Sequence, residues 1–355
     1  MTRFAFILHP ISVRDVARKY PIAKFLPDGL VEKIMAKRPP EKVSDITGIV
    51  SKTGARTEGI FIGLPITPTM MTDRLPLPFV YDRLKECTDI AEREGCKIIG
   101  LGAFTAVVGD GGKTLDERTD IAVTTGNSYT VATAIEGAMR AAERLEIDVS
   151  SAVLAVVGAT GSIGKTCATA MAPKFARTHL VGRDVARTEA VASTLPNADA
   201  TTDVSVLRDA DVVVTVTSAD TAIIFPEHLK AGSVVCDVSR PRDVSVRVVQ
   251  DRPDVLVIEG GVVEVPGDPD FGFDFGFPPK CAYACMSETM MLALEDREES
   301  FTIGKDVSLA QVEEMNRLAT KHGFTLAGFR SFEKAVTEET IERVRAARKS
   351  LTRAC

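Results

Sequence analysis

Two sets of residues in this chain have the types and spacing for chemistry: a glycine-rich turn and a scatter of thiols. The turn is Gly158, Ala159, Thr160, Gly161, Ser162, Ile163 and Gly164, and it follows an apolar run over residues 152–157. A short apolar run that ends in glycines and opens a helix reads as the first strand, turn and helix of a dinucleotide-binding βαβ unit. Gly158 permits the tight turn. Gly161 lets backbone N–H groups come close to a pyrophosphate, and Gly164 lets the helix pack on the strand. The helix N-terminus then faces the phosphates with its partial positive charge.

The glycine spacing is GxxGxxG, a variant common where NADP is the cofactor. Arg183 follows Gly158 by 25 positions, near the distance at which such folds place the residue that meets the adenosine ribose. An acid there would accept the ribose 2′-hydroxyl, whereas a guanidinium suits a 2′-phosphate. NADPH is therefore the expected cofactor, and the adjacent Asp184 keeps NAD as the alternative. Ser218 and Ser239 end two later apolar runs, at the strand edge where open sheets bind ligands, and are further candidates for contact with the cofactor.

Cys87, Cys96, Cys167, Cys236, Cys281, Cys285 and Cys355 form no CxxC pair and are odd in number. That usage predicts free thiols in a reducing, cytoplasmic setting. Four histidines and no tryptophan leave little for a His-rich metal site, and no site for Mg²⁺ is legible although a Mg²⁺ dependence is compatible with the chain. A net charge of −6 argues against a nucleic-acid partner. No apolar run is long enough to span a membrane, and the first residues read as a strand, not a signal peptide.

The elements that must position these groups alternate strand and helix, which predicts an α/β fold. Residues 4–8 read as a strand, Ser12 as the cap of a helix to Lys19, and 28–38 as a second helix. Two strands flank a turn at Gly54. A loop over 65–78 carries Met70 and Met71, which pack a core or wall an apolar pocket. A helix over 78–94, strands over 97–101 and 121–125, and a long helix to Arg144 complete a first α/β domain, 1–148, that holds the substrate. A doubly wound Rossmann domain follows over 149–278, its last part a loop rich in Phe, Gly and Pro. Residues 280–295 read as a helix, which puts Cys285 in its second turn and Cys281 one turn earlier on the same face. With a helix over 309–322 and a charged tail, residues 279–355 are expected to pack on the substrate domain and return to the cleft.

Seven short segments in collinear order carry a resemblance: TGARTEG at 53–59, LGAFT at 101–105, TGNSYT at 125–130, GATGSIG at 158–164, GGVVE at 260–264, YAC at 283–285 and KHGF at 321–324. Over residues 1–326 the chain is similar to the long-chain acyl-[acyl-carrier-protein] reductases. It departs from them in the 265–280 loop, in Cys281 and in the tail beyond Ala327. The resemblance implies reduction of an acyl thioester by NADPH to a fatty aldehyde through an acyl-enzyme on Cys285, with acyl carrier protein or coenzyme A as the carrier. It also places a histidine where His9 stands, as a candidate acid/base. Asn127 or Thr130 could donate to the oxyanion, and Phe104 with the Met70–Met71 loop could line a channel for the acyl chain.

The competing reading is a dehydrogenase of shikimate or amino-acid type with no covalent intermediate. It would want a Lys–Asp pair in the first domain, for which Lys97 and Lys113 are candidates. A glutamyl-tRNA-reductase-like enzyme would place its cysteine near the N-terminus, yet the first here is Cys87. A non-catalytic NADP-binding sensor would share only the nucleotide half. Acyl length and oligomeric state are not encoded in any motif.

Overall fold

The structure, a computed structural model, describes every residue except Tyr20, Phe275 and Cys355, and side chains outside 17–20, 275 and 351–355. The expected free thiol at Cys355 and one phenylalanine of the 265–279 loop therefore lie outside the described residues. The chain forms two compact units: Met1–Asn127 with Val263–Asp306 and Glu314–Thr325, and Ser128–Val262 with Val307–Glu313 and Leu326–Cys355.

The first unit is built on β1 (Arg3–Leu8), β2 (Glu41–Val50), β3 (Arg56–Gly63), β4 (Cys96–Gly100) and β5 (Ala122–Thr124). The sheet runs β2-β3-β1-β4-β5 and is closed beyond β2 by the short strand Gly267–Asp270. That strand pairs antiparallel with β2, so the Phe/Gly/Pro segment is not wholly loop. β3, β1, β4 and β5 are mutually parallel, which brings the residues after β1, β4 and β5 to one edge. Phe4 to Ile7 are buried in succession, as expected of a parallel strand covered on both faces. Met70, Met71 and Phe104 sit in the core of this unit, each at most 6% exposed. They fill the core, the first of the two readings the sequence leaves for Met70 and Met71, and the channel lined by them and Phe104 is corrected.

In the second unit β6 (Val153–Val157), β7 (Arg177–Val181), β8 (Ala198–Thr201), β9 (Val212–Thr215), β10 (Val234–Asp237) and β11 (Leu256–Glu259) form one sheet. Its order is β8-β7-β6-β9-β10-β11, with every pair parallel. Counted from β6 the order is 3-2-1-4-5-6, the doubly wound dinucleotide topology. The expected α/β class with a Rossmann domain is what the chain forms.

The units and the expected boundaries of 1–148, 149–278 and 279–355 differ. Residues 128–148 belong with the nucleotide sheet, and so does the C-terminal helix Glu338–Ala354. Arg345 donates to the Arg144 carbonyl (2.8 Å) and Arg348 to Asp211 (2.7 Å), while Lys349 pairs with Glu146 (2.8 Å). The basic face of the tail is satisfied by the nucleotide unit, a pairing that charge composition alone does not assign.

Candidate functional site

The glycine turn leaves β6 at the point where the strand order reverses. Gly158 has φ +83°, and a Cβ there would stand 2.2 Å from the Val216 carbonyl beyond β9. A Cβ on Gly164 would meet the Gly158 carbonyl at 2.3 Å. Both glycines are required by the fold itself. Gly161 differs: it is exposed, has φ −78°, and its nearest neighbour to a Cβ is the Gly158 carbonyl at 3.3 Å. The chain restricts a side chain there far less than at Gly158 or Gly164, so the glycine suits close approach of something bound.

The helix Ser162–Met171 starts with no side-chain cap, which leaves the first-turn N–H groups of Ser162, Ile163 and Gly164 without helical partners. The Ser162 hydroxyl is also buried with no hydrogen-bond partner. An uncapped helix start, an orphaned hydroxyl and an open Gly161 fit a dinucleotide pyrophosphate. The N–H groups of Gly158 and Ala159 instead bond the Val181 carbonyl, so these two shape the turn. Thr160 is half-buried beside Gly182.

Arg183 is exposed just beyond β7 and has no partner among the described residues. Asp184 is occupied: its carboxylate accepts the Arg187 N–H (3.1 Å) and caps the helix Val185–Ala192. Ser218 is exposed. Ser239 is buried, and its hydroxyl accepts the Thr217 N–H (2.8 Å) and donates to Asp243 (2.5 Å). Asp243 also accepts from the hydroxyls of Thr215 and Thr217, at 2.6 and 2.5 Å. Ser239 thus braces the loops after β9 and β10 from inside. Asp237 ends β10 fully buried, accepting N–H groups from Ser239 and Val244 at 3.0 Å each. Burial first, then the Asp243 charge, pushes its carboxyl up to about 7, against the pull of Arg240 and those N–H groups.

The thiols separate by exposure. Cys87, Cys96, Cys167, Cys236 and Cys281 are buried, and among the described cysteines only Cys285 is half-exposed. The helix that carries it runs Ala284–Leu294 with Tyr283 as N-cap, preceded by a strand Cys281–Tyr283. It therefore starts four residues later than the periodicity predicts, because the apolar residues 281–283 fill a strand. Cys285 lies in the first turn, where the helix dipole favours a thiolate, and Cys281 does not share its helix.

A left-handed turn closes on Cys285: a Cβ on Gly126, at φ +73°, would come within 2.3 Å of the Cys285 Cα and Cβ. Ala103, in the segment after β4, has φ +48° although it has a Cβ. Burial pushes the resting thiol up to about 12; the Met286, Cys285 and Ala103 N–H groups oppose this and the Glu288 charge adds to it. One turn beyond, buried Glu288 accepts from the hydroxyls of Thr124 (2.6 Å) and Thr302 (2.8 Å).

Asn127 opens the helix Asn127–Arg144 directly after Gly126 and is 8% exposed. Its side chain makes no hydrogen bond among the described residues. Thr130 is half-buried three residues on in that helix. His9 accepts the Phe104 N–H at Nε2 (3.2 Å), and its Nδ1 lies 3.1 Å from the Pro10 carbonyl. Burial pulls its pKa below the ordinary histidine value. The edge therefore gathers His9, Ala103, Gly126, Asn127 and Cys285. Ala103 and Glu288 escape sequence reasoning, although the segment around Ala103 stands out there as LGAFT.

Residues 140–259 match the family described as shikimate / quinate 5-dehydrogenase. The chain is 28% identical over 358 residues to the aminotransferase PigE of Serratia sp., covering 96% of this chain and 41% of that protein. It is 27% identical over 339 residues to a long-chain acyl-[acyl-carrier-protein] reductase of Synechococcus elongatus, covering 90% of this chain and 98% of the other. The chain thus spans less than half the length of the first relative. Among solved structures it is similar to L-tryptophan dehydrogenase from Nostoc punctiforme, with a TM-score of 0.41 and 12% identity over 100% of this chain and 90% of that one. Shikimate dehydrogenase from Aquifex aeolicus gives a TM-score of 0.40 and 13% identity over 89% and 98%. No helix among the described residues is long and apolar enough to cross a membrane, and none of their side chains forms a group that could hold a metal ion.

Proposed function

We propose that the chain reduces a long-chain acyl thioester, carried on acyl carrier protein or coenzyme A, to a fatty aldehyde with NADPH. The observation that carries this reading is the setting of Cys285: a half-exposed thiol in the first turn of a helix, with the Gly126 turn packed against its Cα and Cβ. The likeness to the Synechococcus reductase supports the substrate class.

In the first half-reaction the Cys285 sulfur attacks the thioester carbonyl. The carrier thiolate leaves, and the proton of Cys285 ends on it. A thioester on the enzyme keeps the carbonyl as reactive as in the substrate. Asn127, with its uncommitted carboxamide, is the side chain assigned to the developing oxyanion, and Thr130 is a second donor from the same helix. Gly161, the Ser162 hydroxyl and the N–H groups of Ser162, Ile163 and Gly164 would hold the pyrophosphate of a bound NADPH, and Arg183 its 2′-phosphate; the cofactor would supply a hydride to the acyl carbon. The Cys285–acyl bond would then break to release the aldehyde, the sulfur taking a proton from water.

The dehydrogenase reading is favoured by the match over residues 140–259, but that match lies in the nucleotide half. In the first unit Lys97 is exposed near the amino end of β4, away from the edge that carries His9 and Ala103. Neither it nor Lys113 has a carboxylate partner among the described residues. Incubation with NADPH and a panel of acyl-carrier and acyl-coenzyme A thioesters, with aldehyde as the product sought, tests the assignment. Oxidation of a hydroxy acid that survives alkylation of Cys285 would replace it with the dehydrogenase reading.

A further inference from the structure

We infer that Glu288 is a positioning residue: its side chain straps the turn at Gly126 to the helix that carries Cys285, and so keeps the thiol in register with Asn127. The inference rests on the reading of Cys285 as the nucleophile and Asn127 as the oxyanion donor. It gives a task to a buried acid that the proposed reaction does not use.

Glu288 lies one helical turn after Cys285 and is fully buried. An acid in such a place is costly unless polar partners satisfy it, and here the partners come from other segments. Its Oε1 accepts the hydroxyls of Thr124 (2.6 Å) and Thr302 (2.8 Å), both buried. Thr124 ends β5, and the turn follows it directly. With its proton committed to Glu288, the Thr124 oxygen is left to accept. It takes the Thr302 N–H (3.3 Å) and, more weakly, the Gly126 N–H (3.5 Å). The Thr125 N–H donates to the Thr302 carbonyl (2.9 Å). Residues 124–126 are thus tied to the segment at Thr302 and, through one oxygen of Glu288, to the helix.

The turn has no slack on its other side. A Cβ on Gly126 would stand 2.3 Å from the Cys285 Cα and Cβ and 2.7 Å from its carbonyl oxygen. The Gly126 backbone therefore bears directly on the residue that carries the sulfur. Asn127 is next in the chain and opens its own helix. Glu288 draws the turn in and Cys285 stops it, which fixes where Asn127 begins relative to the thiol. A misplacement of about 1 Å between reacting groups can cost about a hundredfold in rate.

The test compares two reactions of Cys285 at one pH without NADPH, both read by peptide mass spectrometry. Alkylation by iodoacetamide needs a reachable thiol, whereas acylation by a long-chain acyl thioester also needs the oxyanion donor in place. Asn127→Ala sets the scale, with acylation slowed about a hundredfold. Glu288→Ala should slow acylation by about tenfold to a hundredfold and leave alkylation no slower. Thr124→Val, which keeps shape and charge but removes one strap, should act in the same direction, and Thr124→Ser should restore the rate. This pair carries the test if Glu288→Ala does not fold. Combined with Asn127→Ala, Glu288→Ala should add little further loss, because both remove the same alignment. Unchanged acylation in Glu288→Ala or Thr124→Val would overturn the inference. So would equal slowing of acylation and alkylation, or losses at Glu288 and Asn127 that multiply in full. A Cys285 that is alkylated but never acylated in the unsubstituted protein is a separate result, which removes the nucleophile reading and this inference with it.

Discussion

Arg183 and Asp184 are neighbours with opposite charges, and the sequence leaves both open as the residue that meets the ribose. Their environments separate them. Asp184 is held by the start of the helix that follows it, while Arg183 extends without a partner. A charge-assisted hydrogen bond to a phosphate contributes about 1.5–3 kcal/mol, tenfold or more in affinity. Arg183→Ala should weaken NADPH binding by that factor in a fluorescence titration and leave NADH nearly unchanged; equal loss for both would remove the 2′-phosphate assignment. Gly161→Val tests the turn beside it. Gly161 is exposed and a Cβ there meets only the Gly158 carbonyl, at 3.3 Å, so the fold should be kept with a small drop in melting temperature and NADPH binding lost, whereas normal binding would leave the turn purely structural. Gly158, walled by the Val216 carbonyl, would not separate the two effects. At this scale the glycine turn is legible because the backbone it requires is tied to residue type, as at Gly158 and Gly164. The Ala103 turn was not, since positive φ is signalled by glycine and this position is alanine.

The strands and most helices follow from apolar periodicity, and the departures have local causes. Residues 281–283 continue the apolar pattern of the helix behind them, so periodicity cannot mark where strand gives way to helix. That boundary moves Cys285 from the second turn to the first. The ends of β9 and β10 show a second limit. Ser239 reads as a polar strand exit open to a ligand, yet its hydroxyl is bonded to Asp243, which also takes the hydroxyls of Thr215 at the end of β9 and Thr217 beyond it. Asp237, buried among them, keeps a proton to about pH 7, far above its ordinary value of 3.8. A carboxyl whose folded pKa is raised contributes stability that is fully present below the unfolded pKa and is lost as pH rises through the folded one. Across pH 5 to 7 this group alone should lower unfolding stability by about 1.4 kcal/mol per pH unit. Asp237→Asn should flatten that part of the profile in urea melts. A substituted protein with the same slope would show that another group is responsible.

For the whole molecule, the alternation of strand and helix was enough to give an α/β chain with a dinucleotide half. The partition of the chain was less legible. The tail joins the nucleotide unit through Arg345, Arg348 and Lys349, contacts among residues about 130 to 200 positions apart that no local pattern encodes. The glycine turn lies in one unit and Cys285 in the other, so the proposed cofactor and thiol roles are assigned to different units. Cys285→Ser should therefore bind NADPH as the unsubstituted protein does while losing all aldehyde formation. The most direct measurement is intact and peptide mass spectrometry of the protein incubated with a long-chain acyl thioester and no NADPH, so that the first half-reaction stops at the adduct. One acyl group should appear on Cys285, persist in Cys281→Ser, be absent in Cys285→Ser, and be discharged as aldehyde when NADPH is added. Full aldehyde production by a Cys285→Ala protein, with no acyl adduct on any residue, would contradict the covalent mechanism.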